Sequence, residues 1–248
     1  MKVLAAYNIK GGVGKTATAV NLAHLAAAGG ARVLVWDLDP QGAASFYFRV
    51  KPKVKGGSRG LVTGKRDLDA AIKGTDHDNL DLVPADFSYR NMDLELDATK
   101  KPTRRLAQLI RPLERNYDYV FLDCPPSISL VSESVFEAAD ALVVPIIPTP
   151  LSVRTFDQLE TFLDETDWRR APRVVGFFSM VDGRKKLHAD LIAEVGRSHP
   201  EIVSPTIPAA IDVERMGTHR APVTAFAPKS RAAKAYRELW SAISDRIA

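Results

Sequence analysis

A glycine-rich segment near the start of the chain separates a strand-like run from a helix-like run. Residues 3–8 form a short apolar run typical of a buried strand, whereas residues 15–28 are rich in Ala and Leu and end at a Gly-Gly pair. The segment between them, residues 10–16, reads Lys-Gly-Gly-Val-Gly-Lys-Thr. Because glycines allow a strand to turn directly into a helix, this arrangement predicts the first unit of an alternating α/β fold.

The same alternation continues along the chain. Strand-like runs are almost continuously apolar, as expected for strands that are covered on both faces. We therefore predict a single doubly wound α/β domain over residues 1–248, with a mainly parallel sheet flanked by helices. Further strands are expected at residues 32–37, 80–84, 119–123, 141–145, 174–180 and 203–207, and further helices at residues 102–115, 152–166, 187–198 and 230–247.

Composition excludes several functional classes. The 248 residues include one cysteine, Cys124, so there is no intrachain disulfide framework, no Cys/His zinc pattern and no pair of thiolates for an iron–sulfur cluster. The longest apolar stretch, residues 141–148, is much shorter than the roughly 20 residues of a membrane-spanning helix. We expect a cytoplasmic protein without a signal peptide or membrane anchor.

Residues 10–16 have the chemistry of a phosphate-binding loop. Glycines let backbone N–H groups turn inward around phosphates, and the start of the following helix adds the positive end of its dipole. Lys15 is placed to reach the β- and γ-phosphates, and the Thr16 hydroxyl to ligate Mg²⁺. The residues that we expect to bind the nucleotide here are Gly11, Gly12, Val13, Gly14, Lys15, Thr16 and Ala17.

This loop departs from the common phosphate-loop consensus at one position. Ile9 stands where the consensus requires glycine, and Lys10 is a second lysine inside the loop. The Lys-Gly-Gly-Val-Gly-Lys-Thr form resembles the ParA/MinD family of P-loop ATPases. The resemblance implies an ATP-dependent homodimer in which Lys10 of one subunit reaches the nucleotide of the other, so that Lys10 and Lys15 both serve catalysis. A second cation would stabilise charge that develops during phosphoryl transfer.

Two acidic segments extend the resemblance. Residues 33–42 read Val-Leu-Val-Trp-Asp-Leu-Asp-Pro-Gln-Gly, and residues 119–123 form an apolar run that ends in an acid, the Walker B pattern. Open α/β sheets place their ligands at such strand ends. By resemblance, Asp39 positions the attacking water and Asp37 lies near the metal. Asp123 is the candidate that holds Mg²⁺, through water.

The resemblance covers nearly the whole chain. Residues 80–85 match the family's third strand, residues 176–182 match the strand whose end contacts adenine, and residues 207–208 and 221–236 match the closing region. It implies that Met180 and Pro208 contact the adenine base. ATP and Mg²⁺ are the cofactors that this family uses.

Charge is distributed unevenly along the chain. Residues 1–183 carry 23 basic and 23 acidic residues, whereas residues 184–248 carry 11 and 7, so the formal excess of +4 lies in the last quarter. The family often has arginines after its Ile-Pro pair, but Ala209 and Asp212 occupy those positions here. Other basic residues of this region are candidates for tracking DNA phosphates. They are Arg184, Lys185, Lys186, Arg215, Arg220, Lys229, Arg231, Lys234 and Arg237.

A second basic tract has no counterpart in the family pattern. Residues 49–66 contain seven basic residues and no acidic one. Four glycines within residues 51–64 predict a surface loop inside the domain. The alternatives for this tract are a solvated loop, a second DNA contact and a docking site for a partner.

By resemblance, the ATP-bound dimer binds DNA non-specifically over the nucleoid. A ParB-like or cargo-linked activator would stimulate an otherwise slow hydrolysis and release the dimer. This cycle would segregate a plasmid, a chromosome region or a protein cargo.

Two other classes share the nucleotide motifs. A MinD-like regulator would bind membranes through its last helix, but we expect the apolar stripe of that helix to pack on the sheet instead, so a membrane partner is not expected. A metabolic or electron-transfer enzyme is disfavoured because the reductase branch needs more cysteine and amido-ligase relatives usually lack the lysine at position 10. The stripe consists of Tyr236, Leu239, Trp240, Ile243 and Ile247.

Overall fold

One seven-stranded sheet organises the computed structural model, which describes residues 1–248. The strand order is β3-β4-β2-β5-β1-β6-β7, and every pair is parallel except the short antiparallel pairing of β3 with β4. This order confirms the predicted doubly wound α/β fold. The strands are β1 (Lys2–Ala6), β2 (Val33–Asp37), β3 (Lys73–Gly74), β4 (Leu80–Val83), β5 (Tyr119–Asp123), β6 (Ala141–Ile146) and β7 (Arg173–Phe178).

Twelve helices connect and cover the strands, several of them only one turn long. The first helix begins directly after the glycine loop and ends at Gly29 and Gly30, where Gly30 has a φ of +92° that favours glycine. The helices are α1 (Lys15–Ala28), α2 (Ala43–Tyr47), α3 (Gly57–Val62), α4 (Met92–Asp97), α5 (Arg105–Ile110), α6 (Leu130–Ala138), α7 (Pro150–Glu165), α8 (Lys186–Ser198), α9 (Ile211–Glu214), α10 (Met216–His219), α11 (Val223–Phe226) and α12 (Arg231–Ile247).

Each face of the sheet has its own apolar core. Side chains alternate along β1, so that Val3 and Ala5 enter one core and Leu4 enters the other. Helices α1 and α12 pack together over the Leu4 face, where Leu239 and Ile243 of α12 are fully buried. The apolar stripe of the last helix therefore packs on the sheet, as the sequence indicated. No helix combines the length and the apolar character needed to cross a membrane.

Prolines explain two departures from the predicted secondary structure. The segment expected to be one helix at residues 102–115 is helical from Pro102 to Leu113, but only α5 is α-helical and a 3-10 turn follows it, because Pro112 has no N–H to continue the helical ladder. The strand expected at residues 203–207 does not form. Only isolated bridges join this segment to β7 and its exit, since Pro205 and Pro208 cannot donate to a strand ladder.

The basic tract at residues 49–66 is not the plain loop that its glycines suggested. It contains α3, and the side chains of Val54, Leu61 and Val62 are buried in the core. These apolar residues bury enough surface to order the segment. The prediction of a simple surface loop is therefore wrong for the middle of the tract.

Candidate nucleotide-binding site

The glycine loop at the end of β1 adopts a conformation that its glycines make possible. Gly12 and Gly14 have φ values of +73° and +98°, in the region that side-chain-bearing residues rarely occupy. A Cβ on Gly14 would also lie 3.1 Å from the Ser179 hydroxyl beyond the end of β7. Asn8 holds the loop to the sheet, since its side-chain amide donates to the Pro145 carbonyl at 2.9 Å and its Oδ1 accepts from the Lys10 N–H at 2.8 Å.

Lys15 lies inside this loop rather than on the surface. Its Nζ donates to the Lys10 carbonyl at 3.0 Å, and only 7% of the residue is exposed. Burial lowers the pKa of Lys15, an effect that the nearby carboxylate of Asp123 opposes. A buried ammonium group inside the loop is well placed for an anion bound there.

Two carboxylates lie side by side at the carboxyl ends of β2 and β5. Asp37 and Asp123 are register partners, and both residues are fully buried. Asp37 accepts two hydrogen bonds of 2.7 Å through one oxygen, from the backbone N–H and the hydroxyl of Ser45. Its other oxygen and both oxygens of Asp123 have no hydrogen-bond partner. Unpaired buried carboxylate oxygens are costly, so this pair is suited to a bound cation.

The pKa values of the pair reflect the same geometry. Burial raises the pKa of Asp37 to about 6, although the hydrogen bonds from Ser45 act in the opposite direction. Burial, followed by repulsion from Asp37, raises the pKa of Asp123 well above its ordinary value. The nearby Thr16 hydroxyl and Lys15 only partly offset this rise. A divalent cation ligated by these oxygens would restore the ionised forms.

The residues at this position fit Mg²⁺ by their chemistry. Carboxylate and hydroxyl oxygens are the ligands that this hard cation prefers. Thr16 is the second residue of α1, and it brings a hydroxyl close to Asp123. The unpartnered oxygens of the two aspartates supply the remaining protein donors.

Asp39 lies two residues beyond β2, in a turn at the mouth of the site. One of its carboxylate oxygens accepts from the Gln41 N–H at 2.9 Å, and its carbonyl accepts from the Gly42 N–H at 2.9 Å. The residue is partly exposed, unlike Asp37. It is therefore the carboxylate of this segment that water can reach.

Lys10 is held by its own chain. Its Nζ donates to the Ser152 hydroxyl at 3.2 Å, in the first turn of α7. The Ser152 hydroxyl lies 3.1 Å from that of Thr149. Lys10 therefore lies at the edge of the site, directed towards α7.

The two residues expected at the adenine lie near the exit of β7. Met180 has a φ of +54° and is 40% exposed, whereas Pro208 is buried and forms a bridge with Val181. The preceding Ser179 contacts the Gly14 position, so this strand end borders the phosphate loop. Met180 is therefore the residue after the one that borders the loop, and its side chain is exposed.

The candidate DNA-binding residues differ in whether their charged groups already have partners within the chain. Arg231, Lys234 and Arg237 are all exposed along α12, opposite its buried stripe. Arg184 instead pairs with Asp182 at 2.9 Å. Lys185, Lys186, Lys229 and Arg215 are exposed, and Arg215 has a long contact of 3.9 Å with Asp212. Arg220 stacks on Phe46, 4.7 Å from the ring centroid, and its carbonyl accepts a hydrogen bond from Arg49 at the start of the 49–66 tract.

Sequence reasoning missed the residues that hold the site in shape. Ser45 orients Asp37, Ser152 holds Lys10, and Asn8 fixes the loop. Asn8 lies two residues before the loop, at the end of the first strand-like run, so its position in the sequence is a local signal. The two serines are brought in by tertiary packing and have no local sequence signal.

Comparison with known proteins agrees with this geometry. The AAA domain family AAA_31 matches residues 1–173. The chain is similar to the sporulation initiation inhibitor protein Soj of Bacillus subtilis, with 32% identity over 243 residues that cover 96% of each chain. It is also similar to the chromosome partitioning protein ParA of Caulobacter vibrioides, with 31% identity over 247 residues covering 96% of this chain and 92% of that protein.

A solved structure shows the same fold. Cobyrinic acid a,c-diamide synthase from Mycobacterium smegmatis, with bound ADP and magnesium, superposes with a TM-score of 0.84 at 26% identity. The match covers 99% of this chain and 95% of that one. The glycine loop, the paired aspartates and these similarities along almost the entire length together show that the chain belongs to the ParA family of P-loop ATPases.

Proposed function

We propose that this chain binds and hydrolyses ATP with Mg²⁺ at the loop and paired carboxylates. The observation that carries the proposal is the buried Asp37–Asp123 pair, whose unpartnered oxygens lie beside Lys15 and Thr16. When bound, Mg²⁺ neutralises phosphate charge and polarises the γ-phosphoryl group. The loop amides and Lys15 hold the phosphates, while Thr16, Asp37 and Asp123 hold the metal. Binding thus converts a costly carboxylate pair into a satisfied one.

Hydrolysis requires a water molecule in line with the γ-phosphate. Asp39 is partly exposed, and one of its carboxylate oxygens is not used in the hydrogen bond from Gln41. This oxygen can accept a hydrogen bond from that water. Met180 and Pro208 would border the base. Their position at the β7 exit, next to Ser179 and the phosphate loop, supports this assignment.

Lys10 is proposed to act on the nucleotide of a second subunit. In the single chain it makes only one side-chain hydrogen bond, to the neutral Ser152 hydroxyl at 3.2 Å. Such a bond contributes about 1 kcal/mol, so releasing it costs little compared with contacting a triphosphate. Dimerisation would then depend on ATP.

The ATP-bound dimer is proposed to bind DNA without sequence preference and to be released when a ParB-like or cargo-linked activator stimulates hydrolysis. The similarity to ParA and Soj supports a positioning role over the nucleoid. The exposed row Arg231, Lys234 and Arg237 supplies phosphate contacts that dimerisation would double. A plasmid, a chromosome region or a protein assembly would be the cargo.

A DNA-binding titration tests this function. The chain is titrated onto a fluorescent duplex of mixed sequence with Mg²⁺-ATP, with Mg²⁺-ADP and without nucleotide, at two salt concentrations. Binding with ATP only, weakening steeply with salt, is the expected result. Equal binding with both nucleotides would contradict the ATP switch.

Comparable measurements separate this function from the two alternative classes. A MinD-like regulator would sediment with anionic vesicles in ATP, which the burial of Leu239 and Ile243 in α12 disfavours. The similarity to the diamide synthase suggests a metabolic role as the other alternative. Such a role predicts nucleotide turnover without any effect of ATP on DNA affinity.

A further inference from the structure

A positively charged cleft lies between residues 49–55 and the edge strand β3. Its volume is about 620 Å³, and no acidic or aromatic residue lines it. Of its charged residues only Arg49 has an acidic partner, Asp76, at 3.4 Å. The five charged residues that line the cleft, all exposed, are Arg49, Lys51, Lys53, Lys55 and Lys73.

The backbone that carries these lysines is firmly anchored. The side chain of Val54 is buried between Lys53 and Lys55, and its N–H donates to Asp86 Oδ2 at 2.8 Å. The N–H of Ser58 donates to the Ser88 hydroxyl at 2.8 Å. The ammonium groups therefore project from an ordered scaffold, which lowers the entropy lost when they bind an anion.

The cleft is continuous with Arg220, one of the candidate DNA-binding residues. Arg49 donates to the carbonyls of His219 and Arg220 at 3.0 and 3.2 Å. In return, Arg220 donates to the Phe46 carbonyl at 3.2 Å and stacks on its ring. One basic surface therefore runs from α10 across Arg49 into the cleft.

The cleft also adjoins the nucleotide motif. Gly42, whose N–H donates to the Asp39 carbonyl, packs closely against Pro52, since a Cβ added to Gly42 would lie 3.3 Å from the Pro52 Cβ. Pro52 lies between two lysines of the cleft, Lys51 and Lys53. The turn that carries Asp39 therefore lies directly beside the cleft.

We propose that this cleft, together with Arg220, is a second binding site for the phosphate backbone of duplex DNA. The inference rests on the proposed function. Lysines without acidic partners suit phosphate tracking, which requires charge but no base readout. A single strand would instead favour aromatic stacking platforms, which the cleft lining lacks. Continuity with Arg220 favours DNA over an acidic protein.

The test compares two variants that lose the same charge. The cleft variant is K51A/K53A/K55A/K73A. The control, K101A/R104A/R111A/R169A, removes four exposed cations from a separate cleft of about 660 Å³. Duplex binding with Mg²⁺-ATP is measured from about 50 to 200 mM salt. Circular dichroism and basal ATP hydrolysis verify that both variants fold.

We expect the cleft variant to lose at least tenfold in affinity. Its plot of log affinity against log salt should become less steep by up to about 4 per subunit, whereas the control should change by less than about 1. Equal losses in both variants, or no loss in the cleft variant, would overturn the proposal and leave the proposed function intact. The proposal would also be overturned if the cleft variant lost binding to anionic vesicles while its DNA binding stayed unchanged. Wild-type chain that fails to bind DNA in ATP would overturn both.

Discussion

Asp37 and Asp123 are register partners at the carboxyl ends of neighbouring parallel strands, with no exposed surface on either residue. Three of their four carboxylate oxygens accept no hydrogen bond. Two adjacent buried acids destabilise the chain when no cation is bound. This pair therefore lowers the free energy of unfolding of the empty chain, and binding of the metal with its nucleotide can restore it.

The substitution Asp123→Asn should raise stability and abolish activity. The amide removes a buried charge, so the free energy of unfolding without Mg²⁺ at pH 7 should rise by about 1–2 kcal/mol. Mg²⁺-dependent ATP hydrolysis should fall at least about 100-fold. Urea unfolding and phosphate release measure the two effects. The matched control is Asp190→Asn, since Asp190 is exposed on α8 and makes no ion pair. A destabilised Asp123→Asn protein would contradict this reading.

Gly14→Ala should damage the phosphate loop. The φ of +98° disfavours any side chain, and the new Cβ would lie 3.1 Å from the Ser179 hydroxyl. We expect a loss of about 1–2 kcal/mol in stability and weaker ATP binding. Calorimetric titration with Mg²⁺-ATP measures the affinity. Gly183→Ala, which has nothing within 4 Å of its Cβ, should behave like wild type.

His24 should make the fold sensitive to acid. Burial, together with nearby His77, lowers the pKa of His24 to about 4. The ring is neutral in the folded chain and gains a proton near pH 6.5 when unfolded, so its contribution is complete above about pH 6.5 and is lost as pH falls to about 4. After allowance for partial exposure, the loss is about 1–2 kcal/mol.

Urea unfolding at pH 7 and pH 4.5 tests the role of His24. His24→Gln keeps a polar partner for the Thr224 hydroxyl, which lies 2.8 Å from His24 Nδ1. The variant should lose less stability than wild type between the two pH values. Equal losses would show that His24 does not titrate in this way.

Lys10→Ala should uncouple ATP binding from dimerisation. Within the chain the lysine contributes only its bond to Ser152, so stability should change by less than about 1 kcal/mol. Light scattering with Mg²⁺-ATP should show dimers for wild type and monomers for the variant. Lys100→Ala, which removes an exposed lysine away from the loop, is the control. A Lys10→Ala protein that still dimerises would remove the basis for the shared site.

Local motifs explain why the centre of the site was predictable. The loop at residues 10–16 and the strand-end acids Asp37 and Asp123 are set by short-range pattern and parallel topology. Ser45 and Ser152 were not predictable. The hydroxyl of Ser45 reaches Asp37 only because α2 folds back over the end of β2, and Ser152 is 142 residues from Lys10.

The errors in the fold have physical causes of the same kind. Pro112 converts the end of the helix expected at residues 102–115 into a 3-10 turn, and Pro205 and Pro208 prevent the strand expected at residues 203–207. In the basic tract, the charges and glycines predict a loop, but the burial of Leu61 and Val62 orders α3. Tertiary packing overrode local composition there.

ATP-dependent DNA binding is the property that distinguishes a partitioning ATPase from the other two classes, and one titration measures it. Wild-type chain is titrated onto a fluorescent duplex with Mg²⁺-ATP and with Mg²⁺-ADP at about 50 and 200 mM salt, conditions between which phosphate contacts lose most of their strength. We predict tight binding with ATP at low salt, at least tenfold weaker binding at high salt, and little binding with ADP. Equal affinity with ATP and ADP would contradict the account.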